Sequence, residues 1–333
     1  MATTIRNRFK NFRSQSAKPE QVQQIQTDLL AESTLDMSYL TLIVGSCIIA
    51  TLGLLSNSAA VIIGAMIVAP LMLPIRGLAF GALRGDVILL RFGAIAITVG
   101  VLIAIAIACC LGWIVHMPTY GSEVLARSQP TLLDLGIAVA AGAISGYAKI
   151  EPKISGSLAG TAIAVALMPP VCTIGLGLAQ ANWSLSLGAT LLFLTNLLGI
   201  ALACMLTFFV AGYSSFTQAR KPLIWTLAMT SILLIPLGAS FARLMRQAQL
   251  ENSVKQALVN KTVTFQRLRL LSTNTNWLAN PPQITLSVRA REPVTPRQVQ
   301  LLEEFIERQM GQRFTLVFEV GQVKEVRREG NAE

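Results

Sequence analysis

The chain has 333 residues, 53% of them hydrophobic and 13% charged, with a net charge of +10. Ordinary soluble domains carry about 25% charged residues, so this composition excludes a plain soluble globule and points to a polytopic membrane protein with one smaller polar domain. The positive excess divides evenly between residues 1–242 and the tail, so it reads as membrane topology and lipid contact, not as nucleic-acid binding.

Residues 1–37 make a polar N-terminal segment, and no cleavable signal peptide is expected in it. After Pro19, the residues Val22, Ile25 and Leu29 share one helical face among glutamines. That face is narrow, so the segment reads as a lead-in to the first span, with a short helix lying on the membrane surface as the alternative. Seven apolar blocks follow, at about 38–56, 57–83, 87–115, 131–148, 154–180, 184–212 and 222–242. Each is long enough for a span, which takes ~20 residues at 1.5 Å of rise.

With the N-terminus in the cytoplasm, the inner segments hold Arg6, Arg8, Lys10, Arg13, Lys18, Arg76, Arg84, Arg91, Lys149, Lys153, Arg220 and Lys221, and the outer loops only Arg127. This is a strong positive-inside bias. Tyr39, Tyr147, Tyr213 and Trp225 fall at inner edges and Trp113, Tyr120 and Trp183 at outer ones, as an interfacial aromatic belt requires. Seven spans then put the C-terminal domain on the side opposite the N-terminus.

Within the blocks a repeat is visible. Sliding the chain by 96 residues lays Gly64 on Gly160, Ile67 on Ile163, Leu71 on Leu167, Met72 on Met168, Pro74 on Pro170, Gly81 on Gly177 and Asp86 on Asn182. Each copy has three spans, 38–130 and 131–213, with 214–242 as a seventh. An odd number of spans per copy inverts the second, and inverted repeats with broken helices at matching places mark many transporters. The expected fold is thus mainly α: a polytopic bundle of about seven spans in two inverted three-span repeats, plus a small C-terminal α+β domain.

The breaks come from proline. An interior proline costs a helix about 3 kcal/mol or more, and carbonyls freed in hydrocarbon need a partner from protein, water or a ligand. Pro70 with Pro74, and Pro169 with Pro170, mark two bent stretches whose half-helix ends present partial charges to a solute. The expected path residues are Asn57, Ser58, Pro70, Met72, Pro74, Arg76, Met168, Pro169, Pro170 and Thr173. Arg76 is the notable charge, because burying one near the bilayer centre costs at least ~2.5–3.5 kcal/mol. Either it faces an aqueous cavity and attracts an anion, or it snorkels to the inner surface. Its repeat partner is Cys172.

Glycines at four-residue spacing (Gly77, Gly81 and Gly85; Gly142 and Gly146; Gly156 and Gly160) read as close helix packing. All five cysteines lie inside apolar blocks and the tail has none, so neither a disulfide framework nor a metal cluster is expected. The single histidine, His116, sits beside Trp113 as an interfacial residue. No grouping of His, Asp, Glu, Ser or Cys supports catalysis, so no enzyme activity and no cofactor are expected.

The run NSAAVIIGAMIVAPLMLPIRG, with its N-S-x-A, I-I-G-A-M and A-P-L-M-x-P elements, resembles the core motif of domain of unknown function 389, a family of bacterial and archaeal integral membrane proteins. The likeness covers roughly residues 38–212. Leu73 stands where members often carry glycine, which stiffens the break. The resemblance implies a bacterial membrane protein and names no substrate.

Residues 243–333 change character. Ile284, Leu286, Val288 and Ala290 alternate with polar residues, as do Phe314, Leu316, Phe318 and Val320, the period of half-buried strands. Between them Thr295, Pro296 and Gln298 start a helix with a capping box, whose apolar face is Val299, Leu302, Phe305 and Ile306. A helix near 246–259 and a strand near 262–271 complete an α-β-β-α-β order, half of a ferredoxin-like sandwich. So small a sheet needs neighbours, which predicts a homo-oligomer through spans and tail. Arg267, Arg269, Arg289 and Arg291 read as a solvated face, with anionic ligands or lipid headgroups as the alternative.

These features predict a transporter or channel for a small ion or solute, leaning towards an anion because of Arg76, in a bacterial inner or other internal membrane. The alternative is a non-conducting sensor or scaffold whose C-terminal domain binds a partner or ligand.

Overall fold

A computed structural model describes residues 17–117, 119–151, 167–261, 268–276, 281, 283–290, 295–310 and 313–322. It divides into two compact units, Met1–Phe241 and Ala242–Glu333, each taken here by itself.

The first unit is helical throughout the described residues: α1 (Pro19–Glu32), α2 (Met37–Leu55), α3 (Ala59–Val68), α4 (Met72–Arg84), α5 (Val87–Val115), α6 (Ser122–Ala126), α7 (Leu132–Ile150), α8 (Met168–Ala179), α9 (Trp183–Val210) and the first part of α10 (Phe216–Lys261). Among the described residues, five helices are long and apolar enough to cross a membrane: α2, α5, α7, α9 and residues Phe216–Ala242 of α10. The pair α3 and α4, bent by 52°, makes a sixth if it is one span. Of the block at 154–180, the part up to residue 166 lies outside the described residues, and the rest is α8.

Side chains set where these helices start. Asp36 accepts from Tyr39 N (2.7 Å), Asp86 from Ile88 N and Leu89 N (3.0 and 3.1 Å), and Asn182 from Leu185 N (3.1 Å). Each such cap is worth about 1 kcal/mol. The corners before α5 and α9 are built alike. Asp86 N donates to Gly81 O and Asn182 N to Gly177 O, both at 2.8 Å, and these four residues are partners at the 96-residue spacing.

Packing follows the same scheme. Helix α4 packs on α5, and α8 on α9; α4 also packs on α9, and α8 on α5. Helices α2 and α5 pair, as do α7 and α9. Close approach is possible because small residues line these seams. A Cβ on Gly142 of α7 would lie 2.5 Å from Ile200 O of α9, and one on Gly175 of α8 would lie 2.6 Å from Ile105 O of α5.

Two expectations at the rims are corrected. Helix α1 is a separate helix, not a lead-in to the first span: it ends at Ser33, and buried Val22, Ile25 and Leu29 hold it onto α4 and α5. The aromatic belt is thinner than its count. Trp113, Trp183 and Trp225 are exposed, but Tyr39 and Tyr213 are buried. Tyr39 donates to Ala96 O at 2.8 Å, and Tyr213 packs edge-on to Phe80 and Phe208. Tyr120 donates to Leu176 O at 2.6 Å, and burial, with a smaller contribution from nearby Cys109, pushes its phenol up to about 12.

In the second unit, β1 (Leu268–Asn276), β2 (Gln283–Ala290), α11 (Pro296–Met310) and β3 (Thr315–Gln322) form a three-stranded sheet with one helix. No separate helix starts near 246, since α10 continues to Lys261; β1 begins at Leu268, beyond residues 262–267, which lie outside the description. Strands β1 and β2 are antiparallel, and β2 and β3 parallel. The parallel strands are direct neighbours, whereas a ferredoxin-like half leaves a place for another strand between them. The Thr295–Gln298 capping box closes in both directions, Thr295 N to Gln298 Oε1 at 2.9 Å and Gln298 N to Thr295 Oγ1 at 3.4 Å. Ile284, Leu286, Val288, Leu302, Ile306, Phe314 and Leu316 are the core, while Val320 is exposed. Arg269 and Arg289 are cross-strand partners; Arg267 and Arg291 lie outside the described residues.

Candidate functional site

The break between α3 and α4 has a local cause. Ala69, which precedes Pro70, is extended (φ −65°, ψ 121°), the conformation a following proline favours. Helix α3 therefore stops at Val68, and the chain restarts as α4 at Met72, with Leu73 N donating to Pro70 O at 3.1 Å. Pro74 is not part of the break. It stands in the first turn of α4, where a missing N–H loses no helical bond. Pro169 and Pro170 stand likewise in the first turn of α8. The first proline pair is thus corrected to a break at Pro70 alone, and the stretch before α8, where the second break is expected, lies outside the described residues.

The other expected path residues separate into two places. Met72, Pro74, Met168, Pro169, Pro170 and Thr173 are buried where α4 and α8 begin. Thr173 Oγ1 donates to Pro169 O, four residues back, at 2.9 Å, so its proton is used within its own helix. Asn57 and Ser58 are at the far end of α3 from the break. Asn57 takes a left-handed φ of 52° and is exposed, and its Oδ1 accepts from Glu123 N (2.9 Å) and Ser122 Oγ (3.3 Å). It tethers the loop that carries α6. Ser58 precedes α3 without a side-chain cap.

Arg76, two residues after Pro74, is 8% exposed. Its guanidinium meets Glu32 of α1 at 3.0 Å. The other oxygen of Glu32 accepts from Lys149 of α7 at 2.8 Å, and Lys149 also reaches Asp28 at 3.3 Å. Four charges from three helices form one neutral cluster. Gly77 belongs to the same seam, because a Cβ there would strike Ser33 Oγ at the end of α1. Between the two readings of Arg76, the structure takes it towards the end of the bundle that carries α1, with its charge met by an acid.

Cys172 occupies the position in α8 that Arg76 occupies in α4. Its sulfur lies 3.7 Å from that of Cys47 on α2, and Cys47 also donates to Ala104 O of α5 at 3.2 Å. The fifth position of α4 thus holds a cation and the fifth position of α8 a thiol. Among the described residues no group of three His, Cys, Asp or Glu side chains is placed to hold a metal.

Sequence reasoning named Arg76 and missed its partners. Glu32 and Asp28 sit four residues apart, on one helical face, which was the available signal. Reading α1 as a lead-in removed them from consideration. A cleft of about 630 Å³, lined by Pro19, Gln23, Gln26, Arg84 and Asp86 among others, opens beside the same helix. Gln26 Nε2 spans it to donate to Asp86 Oδ2.

Comparisons with known proteins address this same core. Residues 66–202, from the end of α3 into α9, match the family described as Domain of unknown function (DUF389). An uncharacterized protein of Methanocaldococcus jannaschii is 27% identical over 202 residues, 61% of this chain. The match spans 62% of that relative, less than two thirds of its length. The motif at the α3–α4 break and these two matches make the helical core of this chain similar to the DUF389 family.

Proposed function

We propose that this chain is a membrane conduit for a small ion or solute, built from two three-span halves that run in opposite directions. The carrying observation is reciprocal packing at the repeat spacing: α4 and α8 each pack on the next helix of their own half and on the equivalent helix of the other. An exchange of that kind is what a twofold relation between halves produces, and three spans per half invert the second. The full bundle then has seven spans, with α8 completing the one whose beginning is undescribed. The path runs by Pro70–Arg76 and Met168–Thr173, beside the break at Ala69–Leu71, whose irregular backbone must be covered by protein or line a water-filled cavity. Asn57 and Ser58 drop out of it.

The N-terminus is cytoplasmic in this reading, and the tail lies on the opposite side of a bacterial inner or other internal membrane. The protein acts as a homo-oligomer, without enzymatic chemistry and without a cofactor. The arginine that suggested an anion is neutralised by Glu32, so the cluster admits an anion only after that carboxylate leaves.

Reconstitution in liposomes with a panel of labelled chloride, nitrate, sodium and potassium tests the reading. Flux of at least one ion is expected, reduced by Pro70→Leu. Absence of flux for every ion and solute tried would favour the other reading, a sensor or scaffold. What favours that alternative is the second unit, which has a hydrophobic core of its own.

A further inference from the structure

Two cations from different helices converge on a single carboxylate. Arg76 of α4 and Lys149 of α7 hold the two oxygens of Glu32, at 3.0 and 2.8 Å. The cations are the better buried partners, with side chains 9% and 14% exposed against 26% for Glu32. Asp28 helps only from 3.3 Å and is half exposed. The guanidinium also has a donor left over, because Arg76 Nε is buried without a hydrogen-bond partner. Balance at this spot therefore depends on α1 delivering its carboxylate.

We propose that Arg76 and Lys149 form a seat for a small monovalent inorganic anion such as chloride, and that Glu32 is the chain's own occupant of it. A carboxylate oxygen and a halide take hydrogen bonds from the same charged donors, so either satisfies the pair. Displacing Glu32 leaves two positive charges where its carboxylate sat and the buried Arg76 Nε–H still unpaired, with Asp28 at 3.3 Å from Lys149 the remaining acid of the cluster among the described residues. The exchange is feasible because Glu32 arrives on α1, which lies against the bundle through Val22, Ile25 and Leu29 and is none of the candidate spans. Its carboxylate can withdraw without unfolding a span.

The proposal deepens the conduit reading by naming its cargo class, and rests on that reading for anything beyond binding. Lys149 ends α7 in the second half and Arg76 begins α4 in the first. An anion seated between them touches both halves at once, where relative movement of the halves would alter its coordination.

Chloride line broadening in chlorine NMR tests the seat on the full chain in zwitterionic nanodiscs. Glu32→Gln should give saturable broadening several times that of the unaltered protein, and Glu32→Gln with Arg76→Gln should abolish it. Equal broadening in the unaltered protein and Glu32→Gln, or persistence in the double variant, overturns the seat. Should Glu32→Gln fail to fold, Lys149→Gln keeps the Glu32–Arg76 pair and removes half the seat. It should lower the weaker broadening of the unaltered protein, and no difference overturns the proposal. Flux separates the two readings. Cation flux with no chloride binding ends the seat and leaves the conduit, whereas chloride binding without flux of any ion ends the conduit and leaves the seat.

Discussion

Arg76 illustrates how a single side chain is decided by partners distant in sequence. Its charge is legible in the sequence as an anomaly inside an apolar block, but its answer, Glu32, lies 44 residues earlier on a helix with a weak apolar stripe. Removing one member of a partly buried charged pair leaves the other desolvated, which costs roughly 1–3 kcal/mol. Arg76→Leu should therefore lower the thermal midpoint of the detergent-solubilised protein, and Arg76→Leu with Glu32→Leu should recover much of the loss. A double variant as unstable as the single one would mean that the pair is not the stabilising contact. Tyr120 gives a second check. Its phenol titrates near 12 when folded, above its unfolded value of about 10, so the associated stability is full below pH 10 and disappears as pH rises through 12. Tyr120→Phe should flatten the alkaline limb of the thermal midpoint against pH.

For elements, the contrast between two glycines carries the argument. Both sit inside apolar helices and look alike in the sequence. A Cβ on Gly142 would lie 2.5 Å from Ile200 O and 2.7 Å from Ile200 Cα, so α7 and α9 would have to separate. A Cβ on Gly45 meets no atom of the described residues within 4 Å. Gly142→Ala should accordingly destabilise by about 1–3 kcal/mol through overpacking, whereas Gly45→Ala should be neutral or gain roughly 0.5–1 kcal/mol from helix propensity. Thermal midpoints in one detergent compare them directly, and equal effects would contradict the α7–α9 seam. Helix positions were legible because hydrophobic blocks are a local signal, and the structure adds caps at Asp36, Asp86 and Asn182. The role of each proline was not. Whether a proline breaks a helix or opens one depends on the turn it occupies, and Pro70 and Pro74 differ only in that.

At the scale of the whole chain, contacts divide the chain between Phe241 and Ala242, and the tail has its own small core. The strands and the Thr295 cap were readable from period-two alternation and a capping pattern. The parallel neighbour relation of β2 and β3 was not, because it depends on which edge the returning strand chooses. That core gives a prediction separable from anything in the membrane. Leu286 is fully buried in the central strand, packed with Ile306 and Leu316 in one cluster. Leu286→Ala should cost about 2–5 kcal/mol, a large part of the stability of a three-stranded unit. Limited proteolysis of the full chain in membranes should then cut residues 268–322 far faster than in the unaltered protein, with residues 37–210 as resistant as before. Equal protection of the tail would mean that this sheet draws its stability from contacts outside its own core, the outcome expected if copies of the chain pair through it.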